Sequence, residues 1–222
     1  MARQDAARVI ADLFASEGAA GYLGEPVTQA DHMLQAGMLA EQAGAPAPLI
    51  AAALLHDVGH FTGAVSGQDL MRGTDNKHSD QGAAWLAQWF GPEVTEPVRL
   101  HVEAKRYLCA AEPDYFARLS PASVYTLGVQ GGPMRTDEMA AFEASPYAQD
   151  ACRVRRWDDD AKDPDRSAPA FEHFASLIDA LTKANSDTVR PQRHGPRIAS
   201  ARTPHRGHPR QSPGSSESTA AW

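Results

Sequence analysis

Apolar positions recur with a period near 3.6 through most of the first 185 residues. Ala6, Val9, Ile10, Leu13 and Phe14 share one helical face, and Leu34, Met38 and Leu39 repeat the pattern within 33–43. After a Gly44-Ala45-Pro46 break, 48–56 is apolar nearly all round. That pattern predicts a helix buried in the middle of a domain, ended by Gly59 and Gly63. A polar, loop-like stretch follows at 67–77. Ala83, Trp85, Leu86 and Trp89 then mark a helix over 78–90. Gly91-Pro92 interrupts the chain, and 94–108 is helical again. Pro113, Pro121 and Gly131-Gly132-Pro133 mark further breaks, and 148–162 and 170–183 read as the last helices. No segment alternates apolar and polar residues over a strand's length, and no internal repeat is present. The expectation is an all-α fold, a single helical bundle.

The composition changes near Asn185. Beyond it Pro, Arg, Ser, Gly and His dominate, and such a segment cannot bury enough apolar surface to offset its ordering entropy. This divides the chain into a helical domain over 1–185 and a disordered Arg/Pro/Ser-rich tail over 186–222. The whole chain of 222 residues carries a formal charge of −7, but the tail contributes six Arg against Asp187 and Glu217. The body therefore holds 15 Lys+Arg and 26 Asp+Glu, a net of −11. So acidic a body argues against a nucleic-acid surface. Two cysteines, Cys109 and Cys152, are too few for a disulfide framework. Asp5, Arg8 and Asp12 interrupt the first helix, unlike a signal peptide, and no apolar run is long enough to span a membrane. These features lead to the expectation of a cytoplasmic protein. No feature of the sequence sets its oligomeric state.

Five of the nine histidines, His32, His56, His60, His78 and His101, lie on or beside expected helices. His56 and Asp57 end the most apolar one, in the stretch LLHDVGHF. A charged Asp there is costly unless it is paired or metal-bound. A lone histidine on an apolar helix is ordinarily a hydrogen-bonded core residue. Packing alone does not explain a His-Asp pair with one histidine on the preceding helix and two on the following ones. Imidazoles and carboxylates carried on rigid elements are what a metal site needs. An acidic triplet, Asp158-Asp159-Asp160, follows Trp157 further on; by itself it could be a solvated helix face.

The ordered set His32, His56-Asp57, His78, His101 and Asp158 resembles the HD superfamily of helical metalloproteins. The stretches YLGEPVTQADHMLQ (22–35), LLHDVGH (54–60), KHSDQGAAWL (77–86), HVEAKRYL (101–108) and RRWDDDAKDP (155–164) are similar to the mixed-valent diiron oxygenases of phosphonate catabolism in that superfamily. The resemblance implies two iron ions, Fe(II)/Fe(III), with O2 as co-substrate. His32, His56, Asp57 and Asp158 would hold one iron, and Asp57 would bridge to a second held by His78 and His101. Asp158 is preferred over Asp159 and Asp160 because the family's ligand lies four residues before a Lys, here Lys162.

The same resemblance gives Tyr22 and Glu25 a catalytic role. Tyr22 would occupy an open position on the second iron until substrate displaces it, with Glu25 in support. His60, Lys105, Ser123 and Arg155 match positions that bind the phosphonate, and His60 is counted with the catalytic residues too. The chemistry suits them: Lys and Arg neutralise a dianion, and His and Ser donate directed hydrogen bonds. The implied reaction is oxidative cleavage of the C–P bond of a 1-hydroxy-2-(amino or trimethylammonio)ethylphosphonate. Its products would be phosphate and glycine or betaine. The alternative is an HD phosphohydrolase of nucleotides or phosphate esters, in which the metals activate water. A metal-binding regulator without catalysis would not need His60, Lys105 and Arg155.

Overall fold

The computed structural model describes residues 5–16, 24–62, 73 and 77–188. They form ten α-helices and one 3-10 turn, with no strand among the described residues. The helices are α1 (Ala6–Phe14), α2 (Gln29–Gln42), α3 (Ala47–Leu55), α4 (Gly59–Thr62), α5 (His78–Leu86), α6 (Pro92–Ala111), α7 (Pro121–Val129), α8 (Thr136–Glu143), α9 (Ala148–Asp160) and α10 (Glu172–Thr188). No described helix is long and apolar enough to cross a membrane. The all-helical expectation holds. The last helix passes the expected boundary at 185, and the rest of the tail, 189–222, lies outside the described residues.

α3 sits at the centre because it has no polar face to leave in water. Leu49 to Leu55 are all buried, and α2, α6, α9 and α10 pack around the helix. Its neighbours are amphipathic and turn Met33, Leu86, Val98, Val154, Phe174 and Ile178 inward. Burying a side chain of this size contributes roughly 1.5–3 kcal/mol, so the core fixes α3 firmly. The residues at its C-terminal end, His56 and Asp57, inherit that rigidity.

Chain breaks act as helix caps. Thr28 caps α2: its hydroxyl accepts from the Asp31 amide and donates to the Asp31 carboxylate, at 3.0 and 2.7 Å. This starts α2 at Gln29, earlier than the expected 33, and places His32 in its first turn. Ser120 caps α7, with Pro121 at its first position. α7 and α8 lie in a stretch where the sequence pattern shows only breaks. Pro121 opens the first of these helices, and Gly131 and Gly132, at φ of 100 and 73°, leave it. Only Ser123 and Leu127 of α7 are buried, so there is little apolar periodicity to read.

One glycine is dictated by close approach. α4 packs on α5 so tightly that a Cβ on Gly59 would lie 1.9 Å from the His78 carbonyl oxygen. Only glycine fits. The contact sets the distance between the turn carrying Asp57 and the helix that begins with His78.

Candidate metal centre and substrate pocket

Six side chains from five places in the fold converge. His32 comes from α2, His56 and Asp57 from the end of α3, His78 from the first turn of α5, His101 from α6 and Asp158 from α9. All four imidazoles and Asp158 are at most 5% exposed. The histidines fall into two pairs. His32 Nε2 lies 3.1 Å from His56 Nε2, and His78 Nε2 lies 3.2 Å from His101 Nε2. Asp57 stands between them. Its Oδ2 is 3.7 Å from both nitrogens of the first pair, and its Oδ1 is 3.4 Å from both of the second. Asp158 Oδ1 adds to the first group, 3.3 Å from His32 and 3.8 Å from His56.

This donor set fits two metal ions. His32 Nδ1 is 2.9 Å from the Ala161 carbonyl, His56 Nδ1 is 2.8 Å from Ala53, and His101 Nδ1 is 2.7 Å from Val98. A carbonyl can only accept, so each Nδ1 must carry the proton. In the neutral rings Nε2 is then a bare lone pair. Two lone pairs aimed at each other at 3.1 Å are repulsive unless a cation lies between. Nitrogen donors about 2.1 Å from one ion and roughly at right angles are about 3 Å apart, close to the separations here. The backbone bonds also orient the rings, as partners of metal-bound histidines do.

Electrostatics prepare the site for cations. Burial pushes the His56 imidazole down to about 4, which leaves it neutral and ready to ligate. Burial works against charge on Asp158 too, but Arg155 and Lys162 outweigh it and hold the carboxyl well below its usual range. At His32 burial is outweighed by Asp158 and Asp57, and the imidazole is raised. In metal-free protein a proton therefore competes for the place that an ion would take.

The remaining candidates surround the same cavity, with one exception. Tyr22 lies outside the described residues. Glu25 lines the cavity, and its carboxylate accepts from the Ser120 hydroxyl. His60 stacks on the His78 ring, centroids 4.1 Å apart, with Nε2 3.8 Å from Asp57 Oδ2. Burial, then the neighbouring His78, pushes it down to about 3, so it is a neutral group at neutral pH. Lys105 is buried in the wall and donates to Thr126 Oγ1 at 3.0 Å. Ser123 lies beside it, at the start of α7.

Arg155 stands behind the cavity wall, committed to other groups. Its Nη1 donates to Asp158 Oδ2 at 2.6 Å, and its Nε and Nη2 form a fork on Asp159. Nε also donates to the Tyr115 hydroxyl at 3.1 Å, and Nη2 lies 3.4 Å from Ser123 Oγ. Tyr115 in turn donates to Asp159. The acidic triplet is thus divided. Asp158 turns one oxygen to His32 and the other to Arg155, whereas Asp159 belongs to Arg155 and Tyr115.

Three further residues of the site lie within the sequence motifs but carry no binding role there. Gln29, one turn before His32, donates to Asp57 Oδ2 at 2.9 Å and fixes the shared carboxylate. Gln35, on the next turn, is 2% exposed and donates to the carbonyls of Asp163 and Arg166 at 2.8 and 3.0 Å. It ties the segment after α9 to α2. Lys162, on that segment, faces the cavity. The spacing of Gln29 and Gln35 around His32 on one helix is a usable signal; buried glutamines near a ligand seldom lack a partner.

Comparison with known proteins fits this geometry. The HD domain family model matches residues 30–158, which include all six converging side chains. A relative from Leisingera caerulea is named a 1-hydroxy-2-(trimethylamino)ethylphosphonate dioxygenase (glycine-betaine-forming). It is 45% identical over 172 residues, covering 78% of this chain and 88% of the relative. A hydroxymethylphosphonate dioxygenase from Gimesia maris is 43% identical over 157 residues, covering 70% of this chain and 78% of the relative. With its paired histidines, shared aspartate and cation-lined cavity, the chain belongs to the HD-domain family, in the branch of the phosphonate dioxygenases.

Proposed function

We propose that the protein is a diiron oxygenase that cleaves the C–P bond of a 1-hydroxyphosphonate bearing a 2-trimethylammonio or 2-amino group. The products are phosphate and glycine betaine or glycine. The observation that carries this reading is the division of Asp57 between two histidine pairs beside a cavity lined by ammonium groups. Substrate and O2 together contain the atoms of the two products, so no further co-substrate is required.

His32, His56, Asp57 and Asp158 hold one iron, and Asp57, His78 and His101 hold the other. When bound, the iron pair supplies activation of dioxygen for oxidation at carbon 1. The chain's own residues bind and orient. Lys105, Ser123 and His60 receive the phosphonate, and Arg155 supports them from behind by fixing Asp158 and Ser123. Burial leaves His60 neutral, so it contributes a directed hydrogen bond and no charge. By the resemblance, Tyr22 would occupy the open position on the second iron until substrate displaces it, with Glu25 in support.

Two measurements test the reading. Iron-loaded protein should release phosphate from 1-hydroxy-2-(trimethylammonio)ethylphosphonate or its 2-amino analogue only when oxygen is present. Equal phosphate release under nitrogen would instead support a hydrolase. The second measurement concerns Lys105, whose ammonium is pushed down to about 7, first by burial and then by Arg155. It is charged below that pH and neutral above it. Hence kcat/KM, which reports the free enzyme, should fall as pH rises through about 7. In Lys105→Arg the cation persists, and the fall should move to higher pH. An unchanged profile in that variant would remove Lys105 from substrate binding.

A further inference from the structure

The cavity is faced by two ammonium groups, and each is held by a hydroxyl of α7. Lys105 Nζ donates to Thr126 Oγ1 at 3.0 Å, and Lys162 Nζ donates to Ser123 Oγ at 2.9 Å. Ser123 and Thr126 are three residues apart, on one helix face. Thr126 Oγ1 lies 3.2 Å from the Ser123 carbonyl and donates to it, so the hydroxyl offers a lone pair to Lys105. Ser123 Oγ accepts from Lys162 and, more distantly, from Arg155. With its lone pairs so engaged, its own O–H remains as a donor.

The two large cations near Ser123 differ in what they can still do. Arg155 is spent on Asp158, Asp159 and Tyr115. Lys162 makes one short hydrogen bond among the described residues, to Ser123. Its other nearby acceptors, Glu25 Oε1, Asp158 Oδ1 and Asp159 Oδ1, lie at 3.5, 3.6 and 3.8 Å, beyond a good N–H···O bond. Its position is nonetheless fixed. It follows α9 directly, four residues after Asp158, and Gln35 pins the chain just beyond it. A cation held in place with donors to spare is suited to an incoming anion.

We propose that Lys162 is a substrate-binding residue. With Lys105 it forms a two-ammonium clamp, carried on Ser123 and Thr126, that takes the phosphonate dianion. The proposal rests on the reading of the pocket as a phosphonate site. On binding, Lys162 exchanges its long contact with Glu25 for a phosphonate oxygen, and Ser123 turns its hydroxyl to donate a hydrogen bond to another. Asp158 keeps its bond to Arg155 throughout.

The test uses methylphosphonate, which lacks the reacting hydroxyl, titrated calorimetrically into metal-loaded full-length protein. Metal content is measured on the same samples. Lys162→Met should weaken methylphosphonate binding roughly 10- to 100-fold, the range for losing a charge-assisted bond. Metal per chain should be unchanged, KM should rise by more than kcat falls, and Lys162→Arg should recover most of the affinity. Undiminished methylphosphonate affinity in metal-loaded Lys162→Met would overturn the clamp. So would loss of affinity only in step with loss of metal, which would make Lys162 a partner of Asp158 alone. Wild-type protein that fails to bind methylphosphonate would overturn it as well. If Lys162→Met weakens binding but wild-type protein shows no oxygen-dependent phosphate release, the clamp stands and the assigned reaction falls.

Discussion

Asp57→Asn should empty both metal positions and lower turnover by roughly 10³-fold or more. Among the described residues, Asp57 is the side chain that faces both histidine pairs, through Oδ2 and Oδ1. An amide keeps the shape but offers one neutral oxygen in place of two charged ones. The bridge is lost, and with it the charge that holds two cations close together. Metal activation supplies several kcal/mol, and each ~1.36 kcal/mol is tenfold in rate. The fold should survive, because Asn retains an acceptor for Gln29 and relieves a carboxylate of its burial. His78→Ala is the companion variant. It should lose one metal and keep the ion held by His32, His56, Asp57 and Asp158, yet still abolish turnover. Metal analysis beside circular dichroism reads both. Two metals per chain in Asp57→Asn, or full activity of His78→Ala with one, would sink the two-ion account.

Arg155→Met should be the most destabilising of the single changes considered. It leaves Asp158 and Asp159 without their guanidinium, at side-chain exposures of 7 and 17%. Breaking a buried ion pair from one side costs about 3–5 kcal/mol. For a domain of this size that is a fall in Tm of roughly 6–20 °C. The loss is electrostatic: Arg155 and then Lys162 are what keep Asp158 ionised against its burial. Sign matters for the pH dependence. A depressed carboxyl contributes stability above its unfolded pKa of about 4, lost as pH falls through the lower folded value. The deficit of Arg155→Met should therefore be full at neutral pH and shrink in acid. An ammonium cannot reproduce the fork on Asp159, so Arg155→Lys should recover little. Metal affinity at the Asp158 position should drop about 10- to 100-fold, as when a partner of a metal ligand is removed. A variant with unchanged Tm and metal content would show that Arg155 is neither an anchor nor a positioning residue.

The helical character and the central helix are legible in the sequence because burial imposes its own period. A helix apolar on every face, 48–56, has only one place to go, and α3 takes it. The same logic singles out His56 and Asp57, since polar groups at the end of such a helix need a reason to be there. α7 and α8 are hidden for the converse reason. Their buried residues are few, and helix formation there depends on Ser120 and on packing against residues far along the chain.

Family resemblance alone singles out Asp158, whereas the local pattern marks the histidines and Asp57 on or beside expected helices. What it does not carry is the partition of each polar group among its partners. That depends on contacts between residues far apart in the chain, such as Lys105 with Thr126, Lys162 with Ser123 and Gln35 with Asp163. In the sequence Arg155 and Lys162 are both cations near an acidic triplet. Only the folded chain decides that the rigid guanidinium fork, with its several donors, satisfies two buried carboxylates, and that the smaller ammonium faces the cavity. Periodicity along the chain reports what burial demands of each residue in turn. Allocation of hydrogen bonds and charges is settled among neighbours, and neighbours across a helical bundle exist only once α2, α6, α7 and α9 have come together with α3.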